Sequence, residues 1–144
     1  MEVYTDGSCI GNPGPGGYAA VFLSDGAVKF TVIESVKETT NNRMELMGVI
    51  TAFKYCPAEV KKFTIYCDST YCINGITSWI KGWIKNGWKT ADKKDVKNKD
   101  LWLELLDISK NIEYNLVKVK SHTNIKFNEM ADKMAKYAAE HQGS

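Results

Sequence analysis

Three strand-like segments fill most of the first 34 residues, and the connections between them are too short to hold a helix. Residues 2–9, 18–23 and 28–34 are rich in β-branched and aromatic residues. The first connection, Gly11-Asn-Pro-Gly-Pro-Gly-Gly17, is expected to be a turn or a rigid loop, and residues 24–27 form a second turn. Strands joined in this way pair antiparallel, so the chain is predicted to begin as an antiparallel meander.

After the meander, helical and strand-like patterns alternate. Leu46, Ile50 and Phe53 share one helical face in residues 43–56, and Pro57 ends that helix. The predicted order is βββαβααβα, which is typical of an α/β fold whose five-stranded mixed sheet is covered by helices. We expect one domain over residues 1–144. The remaining predictions are strands at 63–68 and 114–120 and helices at 69–79, 100–111 and 128–140.

Several classes of protein are disfavoured by composition. A membrane span needs about 18 consecutive apolar residues, and the sequence has no such run. The chain enters its first strand at once, which leaves no room for a signal peptide, so we expect a cytoplasmic protein. The cysteines lack a CxxC pair and the chain has only two histidines, which argues against a zinc site and for reduced thiols. The cysteines are Cys9, Cys56, Cys67 and Cys72.

Positive charge is concentrated in one segment. Between Lys81 and Lys99 there are seven lysines and two aspartates, a local charge of +5, whereas the whole chain carries +2 and the rest therefore about −3. A basic segment on a nearly neutral protein suggests a polyanionic partner. The alternative is a solvated helix face with no partner.

Four carboxylates are candidates for chemistry. Taken singly, each has a structural explanation: a turn for Asp6, a capping box for Glu45, an N-cap for Asp68 and an ion pair with Lys136 for Asp132. Taken together, they stand near strand ends and on helices that can lean toward one edge of the sheet. Converging carboxylates repel one another unless protons or hard cations such as Mg²⁺ neutralise them. Two such ions about 4 Å apart polarise a phosphodiester and activate water.

The sequence resembles type 1 ribonuclease H, the bacterial kind, from end to end. Five motifs in matching order and spacing carry the resemblance, and a sixth stretch, Trp79–Trp102, also matches. The motifs are Tyr4-Thr-Asp-Gly-Ser8 with the Gly11–Gly17 turn, Thr39-Thr-Asn-Asn-Arg-Met-Glu-Leu46, Tyr66-Cys-Asp-Ser69, Val119-Lys-Ser-His122 and Asn128-Glu-Met-Ala-Asp132.

The resemblance implies an endonuclease that cuts the RNA strand of RNA–DNA hybrids and leaves a 5′-phosphate and a 3′-hydroxyl. Asp6, Glu45, Asp68 and Asp132 are implied to be catalytic and to hold two Mg²⁺ ions, with Mn²⁺ as an alternative. His122 is implied to act as a proton shuttle or in product release, which suits a near-neutral imidazole. We expect a monomer without a protein partner.

Substrate contacts are also implied by the resemblance. Cys9, Asn12, Asn41 and Asn42 are expected to face the RNA strand, where small polar groups can read 2′-hydroxyls. Residues 80–99 resemble the family's substrate-handling segment, called the basic protrusion below, in which Lys85 and Lys89 would meet phosphates. On the DNA strand, Trp79 and Trp83 are expected to pack on sugars and Thr40 and Asn98 to hold a phosphate, whereas Trp88 and Trp102 are equally consistent with core positions.

Three residues depart from the family pattern: Glu38, Thr70 and Asn124. They affect the expected substrate affinity and leave the four carboxylates unchanged.

Two alternatives to this function remain, a DNA-acting nuclease of the same fold and a non-catalytic hybrid-binding module. A resolvase or transposase core lacks the tryptophan-lysine protrusion and the paired asparagines, and a dead module would have lost at least one carboxylate.

Overall fold

Five strands form one mixed sheet in the computed structural model, which describes residues 1–119 and 126–142. The sheet order is 3-2-1-4-5 in chain numbering, with antiparallel pairing among the first three strands and parallel pairing of the first with the fourth and the fourth with the fifth. This confirms the predicted mixed sheet. The strands are β1 (Glu2–Cys9), β2 (Gly14–Ser24), β3 (Ala27–Thr39), β4 (Phe63–Cys67) and β5 (Tyr114–Lys118).

Helices cover both faces of this sheet, and their order confirms βββαβααβα. Three segments follow one another without a break and make one helical path: α2 (Thr70–Asn74), the π-helical turn (Gly75–Trp79) and α3 (Ile80–Lys85). None of the helices in the described ranges is both long and apolar enough to cross a bilayer. The other segments are α1 (Asn41–Lys54), α4 (Lys99–Ser109) and α5 (Lys126–Glu140).

The core is divided by the sheet into two parts. On one face, α1 packs against the side chains of β1, β2 and β4, and α4 packs against α1. On the other face, α5 packs against the opposite side chains of β1 and β2. Alternation along β2 explains the division, since successive side chains of a strand point to opposite faces. The first part contains Val3, Phe22, Leu46, Ile50 and Trp102, and the second contains Val21, Leu23 and Ala131 with Tyr4, Phe127 and Met134.

The glycine-rich segment differs from the prediction of a loop through Gly17. Strand β2 already begins at Gly14, and Gly16 and Gly17 pair with Cys9 and Ser8 of β1. A Cβ on Gly17 would lie 2.4 Å from the Cβ of Ala138, so the absence of a side chain lets α5 lie directly on the strand. Gly17 therefore serves close packing of α5, and only residues 10–13 form the loop.

The helical path after β4 also differs from the prediction. The helix was predicted to end at residue 79, but the path continues through Gly82 in α3 and ends at Lys85, before Gly87, whose φ is +66°. The π-helical turn begins at Gly75, where a Cβ would lie 2.1 Å from Cη2 of Trp102. Gly75 thus allows the wholly buried Trp102 indole to contact the helix backbone.

The outer part of the basic protrusion, residues 86–98, is held by few buried contacts. Val96 is buried, and its backbone N–H donates to the carbonyl of Trp88 over 3.2 Å. Lys89 forms an ion pair with Asp95, and the same two residues form an isolated β-bridge. The other residues from 89 to 97 are exposed, so this segment is a loop pinned to the core at Val96 and Trp88.

Candidate active site

Three carboxylates from distant parts of the chain meet at one edge of the sheet. Strands β1 and β4 are parallel neighbours, and Tyr4 pairs with Tyr66. Asp6 and Asp68 each lie two residues further along, so the register brings them side by side. Glu45 approaches from α1, and one carboxylate oxygen from each of the three residues lies within 4.8 Å of the others.

Gly7 explains how Glu45 comes so close. A Cβ at Gly7 would lie 2.3 Å from the carbonyl carbon of Met44 and 2.4 Å from the backbone nitrogen of Glu45. The first turns of α1 therefore rest on the backbone of β1, a distance that only glycine permits. The structural explanation of Asp6 as part of a turn is thus wrong. Asp6 and Gly7 belong to a strand segment that fits against a helix.

Neither Glu45 nor Asp68 has the capping role considered from the sequence. The N-cap of α1 is Thr40, whose hydroxyl accepts from the Arg43 backbone N–H at 3.3 Å, so Glu45 lies beyond the N3 position. The N-cap of α2 is Ser69, whose hydroxyl accepts from the Cys72 N–H at 3.1 Å. Thr40 and Ser69 therefore occupy the N-cap positions, and the carboxylates of Glu45 and Asp68 belong to the cluster.

The cluster is electrostatically strained in the absence of a cation. Burial, a hydrogen bond with Asp132 and the charge of Asp68 raise the pKa of Asp6 to about 8. Burial, followed by the charges of Asp6 and Asp68, raises the pKa of Glu45 well above its ordinary value. The Gly7 N–H donates to Asp6 Oδ1 at 2.9 Å. Asp6 and Glu45 thus hold protons that a cation bound by the same oxygens would displace.

Asp132 occupies a more peripheral place than the other three carboxylates. It reaches the cluster through its hydrogen bond with Asp6 and does not belong to the set whose oxygens lie within 4.8 Å of one another. Its side chain is 43% exposed and forms a 3.1 Å ion pair with Lys136. The surface ion pair expected from the spacing is therefore present alongside the contact with Asp6.

Two polar pockets adjoin the cluster. Asn41, Asn42 and Tyr71 line the pocket that contains Glu45 and Asp68. A neighbouring pocket is lined by Asn12, Thr40, Asn42, Lys97 and Asn98. The structure therefore brings five predicted substrate-binding residues, Asn12, Thr40, Asn41, Asn42 and Asn98, to the edge of the sheet that carries the carboxylates.

Some of these polar groups also have local structural roles. Asn12 Oδ1 accepts from the Asn41 backbone N–H at 2.8 Å, which ties the first loop to α1. The Cys9 thiol contacts the carbonyls of Gly14 and Thr39 at 3.6 and 3.4 Å and is only partly exposed. Asn12 thus has a structural contact of its own, while Asn12, Asn41 and Asn42 remain exposed.

The tryptophans form one contiguous aromatic group that reaches the surface at Trp79. The Trp79 side chain is 40% exposed, whereas Trp102 is wholly buried. Trp83 lies between them, with ring centroids 5.9 Å from Trp79 and 5.3 Å from Trp102, and Trp88 packs against Trp83. Trp79 is thus available to a ligand, Trp83 partly so, and the core location of Trp102 agrees with the sequence reasoning.

The lysines of the basic protrusion differ in availability. Lys85 is exposed, whereas Lys89 forms an ion pair with Asp95.

The residues that depart from the family pattern lie outside the protrusion. Lys118 Nζ donates to Thr70 Oγ1 at 2.8 Å, and Glu38 is exposed. His122 and Asn124 lie outside the described residues, so the role expected of His122 stays a prediction.

Sequence reasoning gave no role to Arg43 or Tyr71. Arg43 donates to both carboxylate oxygens of Asp100 at 3.0 and 2.8 Å and to Asn98 Oδ1 at 3.2 Å. The hydroxyl of Tyr71 accepts hydrogen bonds from Asn98 and Trp102. These partners are separated by about 30 to 60 positions, so no local pattern reveals them.

Comparison with known proteins agrees with the geometry. A family model described as RNase H matches residues 1–140. The ribonucleases H of Thermoanaerobacter sp. (strain X514) and Ehrlichia ruminantium (strain Gardel) are 47% and 50% identical to this chain over 94% of its length, and the matches cover 86% and 92% of those proteins.

A solved structure gives the same result at the level of the fold. The crystal structure of LC9-RNase H1, a type 1 RNase H with the type 2 active-site motif, superposes with a TM-score of 0.78 at 32% identity. The match covers 96% of this chain and 71% of that one. With the family model, the relatives and the fold in agreement, the chain belongs to the ribonuclease H family, in its bacterial type 1 branch.

Proposed function

We propose that this protein is an endonuclease that hydrolyses the RNA strand of RNA–DNA hybrids and leaves a 5′-phosphate and a 3′-hydroxyl. One observation carries the proposal: oxygens of Asp6, Glu45 and Asp68 lie within 4.8 Å of one another beside polar pockets lined by exposed asparagines. Membership in the ribonuclease H family gives this acidic cluster its reaction class.

The residues of the cluster fit divalent cations, and we assign Mg²⁺ as the working ion with Mn²⁺ as a substitute. Carboxylate oxygens are the ligands that these hard cations prefer. The positive charge of the cations would replace the protons on the buried Asp6 and Glu45. Asp6, Glu45 and Asp68 would hold the ions, with Asp132 at the outer side through its contact with Asp6. A pair of such ions, when bound, polarises the scissile phosphate and activates water.

The pockets beside the cluster supply strand recognition in this proposal. Asn12, Asn41 and Asn42 present polar side chains that both donate and accept, which is what a 2′-hydroxyl requires. Thr40 and Asn98 line the adjacent pocket with Lys97, a combination suited to a phosphate of the DNA strand. The exposed Trp79 and the partly buried Trp83 offer aromatic rings for deoxyribose.

Two further assignments complete the proposed function. His122, which precedes α5 in the sequence, would move a proton near the leaving group, as expected of an imidazole. All four carboxylates come from one copy of the chain, so the proposed site is complete in a monomer.

The second candidate, a DNA-acting nuclease of the same fold, differs in what it must recognise. Duplex DNA carries no 2′-hydroxyl, so the exposed asparagines beside the carboxylates would have no role in sensing sugars. The tryptophan group and the basic protrusion favour a hybrid, because aromatic faces and lysines suit a flexible strand of deoxyribose.

A single experiment distinguishes these candidates. End-labelled RNA–DNA hybrid, duplex DNA and duplex RNA of one sequence are each incubated with Mg²⁺, Mn²⁺ or EDTA and separated on one denaturing gel. We expect the RNA strand of the hybrid to be cut in the presence of metal, with phosphorylated 5′ ends, and neither duplex to be cut. Equal cutting of duplex DNA would refute hybrid specificity, and cutting in EDTA would refute the metal assignment.

Neutralising lysines of the basic protrusion will flatten the salt dependence of hybrid binding. Lys81, Lys85 and Lys94 are exposed, and replacing all three with glutamine removes up to three phosphate contacts. Each lost contact lowers the slope of log K against log salt by about 0.9, so the slope should fall by about 2 to 3. Fluorescence anisotropy of a labelled hybrid in EDTA, at several salt concentrations, measures this slope.

The matched control uses three lysines far from the protrusion. Lys29, Lys54 and Lys61 are equally exposed but belong to β3, the end of α1 and the segment before β4. Their replacement with glutamine changes the net charge by the same amount and is expected to leave the slope nearly unchanged. If both triple variants flatten the slope alike, the protrusion is not the binding surface.

A further inference from the structure

The hydroxyl of Tyr71, on α2, contacts two residues at the start of α4. It accepts a hydrogen bond from Asn98 Nδ2 at 3.0 Å and another from Trp102 Nε1 at 3.2 Å. A phenol oxygen has capacity for two acceptor bonds, so both are used. The ring is fixed as well, with its centroid 5.7 Å from Trp79 and 5.5 Å from Trp102.

Asn98 is held from both ends of its side-chain amide. Its oxygen accepts from Arg43 Nη1 at 3.2 Å, and its nitrogen donates to Tyr71. Arg43 is itself held by the two-pronged ion pair with Asp100. Asn98 occupies the N-cap position of α4 in a left-handed conformation, yet its side chain makes no capping bond. The amide is therefore oriented by tertiary contacts and not by the helix that it precedes.

This orientation matters because Asn98 lines the pocket with Thr40 and Lys97. A primary amide carries two N–H hydrogens, and the bond to Tyr71 uses one of them. The second is the donor that Asn98 can offer to a phosphate oxygen in the pocket. A free asparagine side chain would have to be ordered upon binding, whereas one fixed in advance avoids that entropic cost.

Tyr71 also lines the neighbouring pocket, together with Glu45 and Asp68. It thus stands between the carboxylate cluster, which handles the strand that is cut, and the Asn98 pocket, which handles the other strand. We propose that Tyr71 is a positioning residue: its hydroxyl sets the orientation of the Asn98 amide that binds the DNA strand. This inference rests on the proposed hybrid substrate.

The test is Tyr71→Phe, which removes the acceptor and keeps the ring. We expect KM for the hybrid, and Kd measured in EDTA, to rise about tenfold, with kcat at saturating substrate changed less than twofold. In a double-mutant cycle, Tyr71→Phe should add less than twofold to the effect of Asn98→Ala, because Tyr71 acts through Asn98. Unchanged affinity in Tyr71→Phe, or independent effects of the two substitutions, would overturn the proposal.

Trp102→Phe is the matched control, since it removes the other N–H donor to the same hydroxyl. We expect it to lower the melting temperature and to leave Kd within twofold of the parent protein. A loss of affinity as large as that of Tyr71→Phe would show that Tyr71 acts only through general packing.

A measurement on the unaltered protein covers the case in which Tyr71→Phe does not fold. Titration of ¹⁵N-labelled protein with a short hybrid in EDTA should shift the side-chain amide resonances of Asn98, and unshifted resonances would overturn the inference. Because these binding measurements require no cleavage, they also separate failure of this inference from failure of the proposed hydrolysis.

Discussion

Replacing Asp6 with asparagine will abolish cleavage of the hybrid and, in the absence of metal, will stabilise the protein. Asp6 contributes an oxygen to the three-carboxylate cluster, so its loss should lower kcat by about a thousandfold or more. The same carboxylate is buried among like charges, and asparagine removes the repulsion without changing the volume. We expect the free energy of unfolding in EDTA to rise by about 1–3 kcal/mol at pH 8.

The pH dependence of this stabilisation has a defined sign. The pKa of Asp6 is about 8 in the folded protein, against an ordinary value of 3.8 in the unfolded chain. Above pH 4 the folded state therefore keeps a proton on Asp6 that the unfolded chain releases. The contribution of Asp6 to stability is greatest below pH 4. It is lost as the pH rises toward 8, so the parent protein should weaken over this window in EDTA more than the Asp6→Asn variant does.

Urea unfolding in EDTA at pH 5 and pH 8 measures both effects. Asp25→Asn is the matched control, because Asp25 is exposed in the turn between β2 and β3 and asparagine tolerates its φ of 54°. It should change neither activity nor the pH dependence. Should Asp6→Asn instead lose stability in EDTA at pH 8, Asp6 would be a structural residue and the acidic cluster would not be strained.

Replacing Gly7 with alanine will have the second largest effect, this time on both stability and activity. The added methyl group would lie within 2.4 Å of backbone atoms of Met44 and Glu45, which no side-chain rotation can relieve. Helix α1 must move away from β1, at a cost of about 3 kcal/mol or more. Glu45 moves with it, and a displacement of about 1 Å is expected to lower kcat about a hundredfold.

Chemical unfolding and initial-rate kinetics measure these two losses. Gly82→Ala is the control, since Gly82 is exposed in α3 and a Cβ added there would meet nothing within 4 Å. Alanine at this position should raise the free energy of unfolding by about 0.5–1 kcal/mol, because it favours the helix. A Gly7→Ala variant as stable as the parent would show that α1 does not depend on contact with the β1 backbone.

β-branched and aromatic content and helical spacing were sufficient to predict most elements of the fold. The buried face of α1, with Leu46, Ile50 and Phe53, follows from helical spacing alone. The strand at Gly14–Gly17 was not predicted, because glycine and proline usually mark turns. The reason for glycine at position 17 is its contact with Ala138 of α5, more than 110 residues away.

For the candidate site, the residue types were predictable and their geometry was not. Asp6, Glu45 and Asp68 were identified by resemblance, and the structure shows that they meet. The peripheral place of Asp132 and the pairing of Lys89 depend on side-chain contacts that no pattern encodes. The Arg43–Asn98–Tyr71 contacts join segments that are distant in the chain, so only the folded structure reveals them.

Residues 86–98 form a loop that is attached to the core at Val96 and Trp88. Evolutionary changes in this loop are therefore separable from changes at the carboxylates. Because few side chains of this loop take part in the core, its lysines can be gained or lost with little effect on folding. The carboxylates, by contrast, are set by backbone contacts at Gly7 and by the register of two parallel strands. A lineage that adapts to a higher or lower salt concentration can therefore change its affinity for nucleic acid without altering the residues that carry out hydrolysis.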